Sequence, residues 1–351
     1  MIQISDFRYV CGTNEEEEIQ MKKLLAMILS LILVLGASAA CAEGITIRFS
    51  TQNVPESAPY IGMEAFKSTL EELSGGEISV ELYHSGSLYA ADAEYDAISN
   101  GDLEMMLTDQ YWLMDYMPYM STLTAGYIFK NYDHMNAVLN GEIGERLYED
   151  VAATLGLRPL GACYFGSRVL SFRKGLGKTV ETPDDMAGLT FRMPGTTAYL
   201  FLGEALGANP TPLALGEVYL ALSTGTIDGQ DNPLVMLDSN KFYEVTESIT
   251  LTNHTLSSVW PAISEDFWQG LTEEQQGWIR EAADAMIAAC DAYVLNQEAT
   301  LADSFRDMGI TIIEPDIDLW MEHVQQYYLS NEEMTSTWDM DLYNEIVALV
   351  K

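Results

Sequence analysis

Apolar and polar residues alternate over 45–50 (ITIRFS), the period of a half-buried strand. The pattern then changes to helical spacing across 59–76, PYIGMEAFKSTLEELSGG, which stops on glycine. The same switch follows at once. ISVELYH (78–84) predicts a second strand, ADAEYDAISNGD (91–102) a second helix and LEMMLTD (103–109) a third strand. Strand and helix in alternation, joined by short links, predict an α/β fold with a mostly parallel sheet flanked by helices.

The second half repeats the scheme. Between Phe191 and Pro233 a short apolar strand carrying Arg192 leads into a helix, and a further helix–strand unit ends on the polar cluster Gln230, Asp231 and Asn232. Within this stretch 219–228 aligns without gaps to 95–104, with Tyr, Ala, Ser and Gly identical at matching places. Gly101 and Gly225 both fall where a helix must end. The correspondence therefore predicts two lobes of like topology, each presenting the carboxyl end of an equivalent strand. Those ends, Thr108 to Trp112 and Gln230 to Pro233, are where open parallel sheets bind ligands, although Asp, Asn and Pro also serve as ordinary turn formers. Downstream, 272–309 holds a helical pattern without proline, opened by a Thr272/Gln275 capping box and stopped by Gly309. Such a helix runs roughly 55 Å at about 1.5 Å per residue. It is expected to brace both lobes, with a break near Asn296 as the alternative. ITIIEP (310–315) and DLWMEHVQQYYLS (318–330) close the chain as strand and helix.

Charge narrows the choice of partners. With 17 Lys and Arg against 53 Asp and Glu, the formal charge of −36 excludes a nucleic-acid backbone as partner and disfavours an anionic membrane surface. Against so few basic residues, an arginine bordered by apolar neighbours calls for a specific anionic partner. MKKLLAMILSLILVLG (21–36), followed by small residues, reads as a secretory signal over 21–42 and not as a spanning helix, because the apolar run is short and ends at a cleavage-like site. Ser38 to Cys41 also forms a poor lipobox, which leaves lipidation of Cys41 open. Residues 1–20 lie outside any such signal. The codons of Glu15 to Glu18 necessarily form a purine-rich run like a ribosome-binding sequence, so we read 1–20 as a mis-called extension and Met21 as the start. Of the cysteines at 11, 41, 163 and 290, the last two are expected as buried small apolar residues, without a disulfide framework or metal spacing.

Catalytic signatures are mostly absent. His84, His134, His254 and His323 lie far apart, and no metal-binding spacing, nucleophile elbow, phosphate loop or dinucleotide fingerprint occurs. Asp228 to Asn232 lacks the alternating oxygens and distant glutamate of a calcium loop. Neither a cofactor nor a metal is expected. What remains is binding chemistry. Arg168 in CYFGSRVLSF and Arg192 in LTFRMPG are bordered by apolar and aromatic residues, and a guanidinium matches a carboxylate through two parallel hydrogen bonds. For each the alternative is a structural salt bridge to one of the many acids. Asn232 can donate and accept at once, and Tyr111 and Trp112 would supply aromatic walls or core.

FRMPG, then NPTPLALGEVYLALSTGTIDGQDNP, KFYEV and TNH together resemble the extracytoplasmic solute-binding subunits of tripartite ATP-independent periplasmic (TRAP) transporters, the DctP type. The resemblance covers nearly the whole mature chain. It implies a two-lobed, periplasmic-binding-protein-like fold (type II-like), each lobe a mostly parallel sheet flanked by helices, with a long helix spanning both. Lobe I would comprise 43–164 and 258–297, and lobe II 165–257 and 298–351. By the same resemblance Arg192 falls on the arginine that pairs with the ligand carboxylate, Arg168 on a second ligand-facing arginine and Asn232 on the motif asparagine. Gln52, Asn53, Asp109 and Trp112 would shape the remainder, with Tyr111 and Leu215 also at the site. Sialic-acid-binding members carry arginine in place of Trp112 and phenylalanine in place of Leu215, which speaks against sialic acid here. His84 and Tyr89 also depart from the family pattern.

The implied function is capture of a small organic acid, a sugar acid or dicarboxylate, for a TRAP membrane permease driven by a sodium or proton gradient. That is a periplasmic or extracytoplasmic binding role without catalysis. Two other classes stay open: the binding component of an ATP-driven importer, and a secreted hydrolase using a carboxylate pair.

Overall fold

The computed structural model describes residues 44–349 and, apart from them, Lys23. The expected extension, the rest of the signal segment and Cys41 lie outside the described residues. From Ile45 onward the chain forms one compact unit.

The first half runs β1 (Ile45–Ser50), α1 (Ala58–Leu73), β2 (Ile78–Tyr83), α2 (Ala91–Asn100), β3 (Met105–Thr108) and the short α3 (Gln110–Leu113), then α4 (Tyr132–Leu139) and α5 (Glu142–Leu155). Two central strands follow, the short β4 (Leu157–Pro159) and the long β5 (Cys163–Arg173). The second half runs β6 (Thr190–Met193), α6 (Thr197–Ala205), β7 (Asn209–Pro212), α7 (Val218–Thr224), β8 (Gly229–Pro233), α8 (Leu234–Ser239) and β9 (Thr246–Thr250). The chain then returns through β10 (Leu256–Ser264) and α9 (Glu265–Gln269) to the long α10 (Glu273–Asp307), and ends with β11 (Thr311–Ile313), α11 (Ile317–Ser330), α12 (Glu332–Thr335) and α13 (Met340–Ala348).

One sheet carries all eleven strands, in the order β2-β1-β3-β10-β5-β8-β6-β7, with β4 on β10 and the β9–β11 pair on β5. Its flanks follow the sequence expectation. β1 lies parallel to β2 and β3, and β6 lies parallel to β7 and β8. Its centre does not, because β10 is antiparallel to β3 and β5, and β5 is antiparallel to β8 and β9. The sheet is therefore mixed. Two parallel α/β groups are joined through long central strands that cross from one group to the other.

The pseudo-repeat has a physical basis. α2 and α7 end on Gly101 and Gly225, whose backbones take nearly the same left-handed conformation, φ 75° and ψ 18° against φ 74° and ψ 21°. A side chain is strained there, so glycine ends both helices. β3 and β8 start shortly afterwards in each case.

α10 is unbroken at Asn296 and carries the expected Thr272/Gln275 capping box. It touches α1 of the first half, the central β5, and α8 and β11 of the second half. Gly62 of α1 brings the helices close: a Cβ there would meet Met286 Cγ and Met286 O, each at 3.0 Å. Polar groups of α10 fasten it to the central strand β5. Asp291 Oδ1 accepts from Tyr164 N at 2.6 Å and Glu298 Oε1 from Ser167 N at 2.7 Å. Cys163 and Cys290 are buried free cysteines.

Candidate functional site

The parallel flanks aim their carboxyl ends at one cavity of about 510 Å³. Gln52 and Asn53 follow β1, Asp109 follows β3, Arg192 lies in β6, and Asn232 lies near the end of β8. This is the placement that sheets with crossover helices give to ligand sites. Trp112, Arg168 and Leu215 also line it. Tyr111 does not. Its ring is 2% exposed, stacks on Tyr199 at 4.3 Å between centroids, and its hydroxyl lies 3.0 Å from Thr255 Oγ1. As the second residue of α3 it points into the core while its neighbour Trp112 faces the cavity, so Tyr111 supports the wall from behind.

The two arginines occupy different electrostatic positions. Arg168 is committed to Asp231. Its Nε donates to Asp231 Oδ2 at 2.5 Å, and its Nη2 donates to Asp231 Oδ1 and to the Asp231 carbonyl, both at 2.9 Å. Nη2 also lies 3.3 Å from Asn232 Oδ1, Nη1 donates to Ser257 Oγ at 3.2 Å, and the guanidinium sits 5.0 Å over the Tyr199 ring. Burial disfavours the Arg168 charge, yet Asp231 outweighs it and holds the guanidinium firmly protonated. Burial likewise works against the Asp231 carboxylate, but Arg168 and His254 hold it well below the usual carboxylate range. Burial keeps His254 below its ordinary value despite Asp231. The neutral ring then donates from Nε2 to Asp231 at 3.4 Å and accepts from Thr252 Oγ1 at Nδ1, 2.7 Å away. The TNH segment thus belongs to the Arg168 cradle, and the salt-bridge alternative weighed for Arg168 is realised.

Arg192 is 3% exposed and makes a single hydrogen bond among the described residues, from Nε to the Leu213 carbonyl at 2.8 Å. No carboxylate among them stands within salt-bridge distance of it. Burial pushes its guanidinium down to about 10; Asp231 opposes this and Arg168 adds to it. Isolating a charge from water is costly unless a partner is supplied. Its neighbours are already occupied. Asn232 Nδ2 donates to Gln230 Oε1 at 2.5 Å, and Gln230 Nε2 donates to Ser171 Oγ at 2.6 Å.

The facing wall is acidic. Asp109 caps α3 by accepting from Tyr111 N and Trp112 N at 2.8 and 3.2 Å. Burial pushes its carboxyl up to about 6 against these donors and Arg168. Gln52 is held by the Tyr89 carbonyl at 3.0 Å and Asn53 by Thr51 Oγ1 at 2.9 Å. Sequence reasoning missed Glu94, Tyr95, Tyr199 and Ser257, which also line the cavity. For Glu94 a signal existed: it shares the buried face of α2 with Ala97 and Ile98, an acid at a core-facing position.

A larger groove of about 810 Å³ runs between α5 and α10. It offers little to a charged ligand, since Arg158 already pairs with Glu149 and Glu265, and Asp291 accepts from Tyr132 and Tyr164. Among the described residues no cluster of His, Cys, Asp and Glu fits a metal ion, and no helix is long and apolar enough to cross a membrane.

A mixed α/β sheet, a bracing helix and a cleft with a buried cation at the strand ends define the class of extracytoplasmic solute-binding proteins. Residues 49–334 match the model of the DctP family, bacterial extracellular solute-binding protein family 7, and the chain belongs to that family. The sialic acid-binding periplasmic protein SiaP of Vibrio cholerae is 29% identical over 93% of this chain and 100% of its own. The C4-dicarboxylate-binding periplasmic protein DctP of Rhodobacter capsulatus is 28% identical over 78% of this chain and 80% of its own. Among solved structures, a TRAP periplasmic solute-binding protein from Roseobacter denitrificans with bound 3-deoxy-D-manno-oct-2-ulosonic acid is 36% identical, with a TM-score of 0.83 over 88% of this chain and all of that one. Another from the same species, with bound L-galactonate, is 26% identical with a TM-score of 0.78, covering 88% and 99%. The chain is accordingly a solute-binding protein of the TRAP type, a family that serves periplasmic transport.

Proposed function

We propose that this protein captures a small organic acid by its carboxylate and delivers it to a TRAP membrane permease. The observation that carries this reading is Arg192, a buried guanidinium whose terminal amino groups find no carboxylate among the described residues. A ligand carboxylate supplies the missing charge in a bidentate geometry. Arg168, paired with Asp231, fixes the position of Asn232 through its contact with Oδ1. Gln52, Asn53, Asp109, Trp112 and Leu215 shape the rest of the cavity. Lobe I (43–164 and 258–297) and lobe II (165–257 and 298–351) then exchange between open and closed arrangements. The ligand favours closure because only there does it touch both walls. The protein is read as exported on its signal segment and as doing no chemistry on the ligand.

Relatives that bind sugar acids and dicarboxylates support the organic-acid class. Trp112 and Leu215 argue against sialic acid despite the similarity to SiaP. The test is thermal-shift screening against organic acids, neutral sugars and amines, since a ligand raises stability by RT ln(1 + [L]/Kd). An acid is expected to raise Tm and to be recovered unchanged. Arg192→Ala is expected to abolish measurable binding, a loss on the order of 3 to 5 kcal/mol, and Arg192→Lys to weaken it severely. A shift with neutral sugars or amines alone, or near-normal affinity in Arg192→Lys, would overturn the carboxylate anchor.

A further inference from the structure

We propose that Glu94 is the residue that determines specificity on the cavity wall facing Arg192: its carboxyl group hydrogen-bonds a ligand hydroxyl, so the site selects hydroxylated monocarboxylic acids over dicarboxylic acids. The inference rests on the organic-acid reading above and names the ligand subclass for that site.

Three observations meet at Glu94. It lines the cavity, is 3% exposed, and its carboxyl Oε1 is buried without a hydrogen-bond partner among the described residues. Ser50 and Gln52 stand beside it, yet the Ser50 hydroxyl is itself buried without a partner and Gln52 donates to the Tyr89 carbonyl instead. An apolar side chain at this position of α2 would pack beside Ala97 and Ile98 at no polar cost. An acid left unsatisfied there is a destabilising choice unless a partner arrives.

The distribution of charge says what that partner is. Glu94 belongs to α2, which packs on β3 and β10, whereas Arg192 lies on β6, beyond β5 and β8 in the sheet order. Asp92 and Asp109 line the cavity on the Glu94 side, and Arg168 and Arg192 are contributed by β5 and β6, with the exposed Glu217 after β7 at the rim. The buried part of the cavity therefore has the uncompensated Arg192 on one wall and the acids Glu94 and Asp109 on the other. A ligand with one carboxylate and hydroxyls satisfies both. A dicarboxylate brings its second charge against the buried carboxyl groups of Glu94 and Asp109, with the exposed Asp92 nearby. Burial pushes the Glu94 carboxyl up to about 7, so both its donor and its acceptor forms are accessible near neutrality and either suits a hydroxyl.

Calorimetric titration of the purified protein with D-galactonate, 3-deoxy-D-manno-oct-2-ulosonic acid, galactarate and succinate tests this. A hydroxylated monoacid is expected to bind about tenfold or more tightly than galactarate or succinate. Glu94→Leu should weaken the hydroxylated acid by about tenfold, the worth of one hydrogen bond at this site, and should tighten succinate by relieving the repulsion of its second carboxylate. Glu94→Gln, which keeps the shape and the hydrogen bonding, should retain most of the affinity and narrow the gap to galactarate. This variant carries the comparison by itself if Glu94→Leu does not fold. The proposal is overturned if succinate or galactarate binds best, or if the discrimination between acids is the same in wild type and both variants. Binding of an acid that depends on Arg192 but not on Glu94 removes only this inference. Absence of binding by every acid removes the organic-acid reading with it.

Discussion

Arg168 and Arg192 are alike in composition of neighbours and differ in what burial does to them. Arg168 holds a carboxylate that would otherwise lack a charged partner, so Arg168→Met leaves Asp231 buried with only the His254 ring beside it. The expected cost is about 3 to 5 kcal/mol of stability, read from urea unfolding of the ligand-free protein. Arg192→Met removes a charge that the ligand-free fold does not compensate, and is expected to raise stability by about 1 kcal/mol or more while abolishing binding. Opposite signs for the two variants in the same assay are the discriminating result. Both residues were legible as candidates because each is a lone cation among apolar residues. Their different roles were not, because the partner that distinguishes them, Asp231, is brought to Arg168 by the antiparallel register of β5 and β8. Glu94 was missed although its helical position is core-facing, since an acid at one such position reads as surface until its neighbours are known.

At the scale of elements, local chemistry and structure agree most closely where a cap or stop is encoded by a few adjacent residues. The α10 capping box, the left-handed Gly101 and Gly225 and the strand–helix alternation all fall where the pattern places them. Tyr111 went the other way, because neighbouring helical residues lie about 100° apart and the four-residue α3 is too short for periodicity to assign their faces. The seam between α1 and α10 depends on the absence of a side chain at Gly62. Gly62→Leu must push against the Met286 backbone as well as its side chain. We expect a loss of about 1 to 3 kcal/mol, measured as a lowered urea midpoint. A ligand-bound wild-type Kd retained in the folded fraction would mark the effect as packing and not site chemistry.

For the whole molecule, a formal charge of −36 sets a strong self-repulsion against a sheet and brace that hold the chain together. Raising salt from about 0.01 M to 0.1 M shortens the screening length from about 30 to about 10 Å. The ligand-free Tm is therefore expected to rise over that range. A scanning-fluorimetry profile that is flat or falling with salt would show that the paired surface charges outweigh the repulsion.

By itself the sequence determined what is written in neighbouring residues: the order of strands and helices, their caps, the acidic balance, and the chemical identity of a lone arginine beside a turn. Only the tertiary structure decided the antiparallel centre of the sheet, which arginine is already paired, which acid is left without a partner, and which aromatic faces the ligand. The reason is physical. Periodicity and capping depend on contacts a few residues apart, whereas desolvation and charge pairing depend on groups that the chain brings together across the whole sheet.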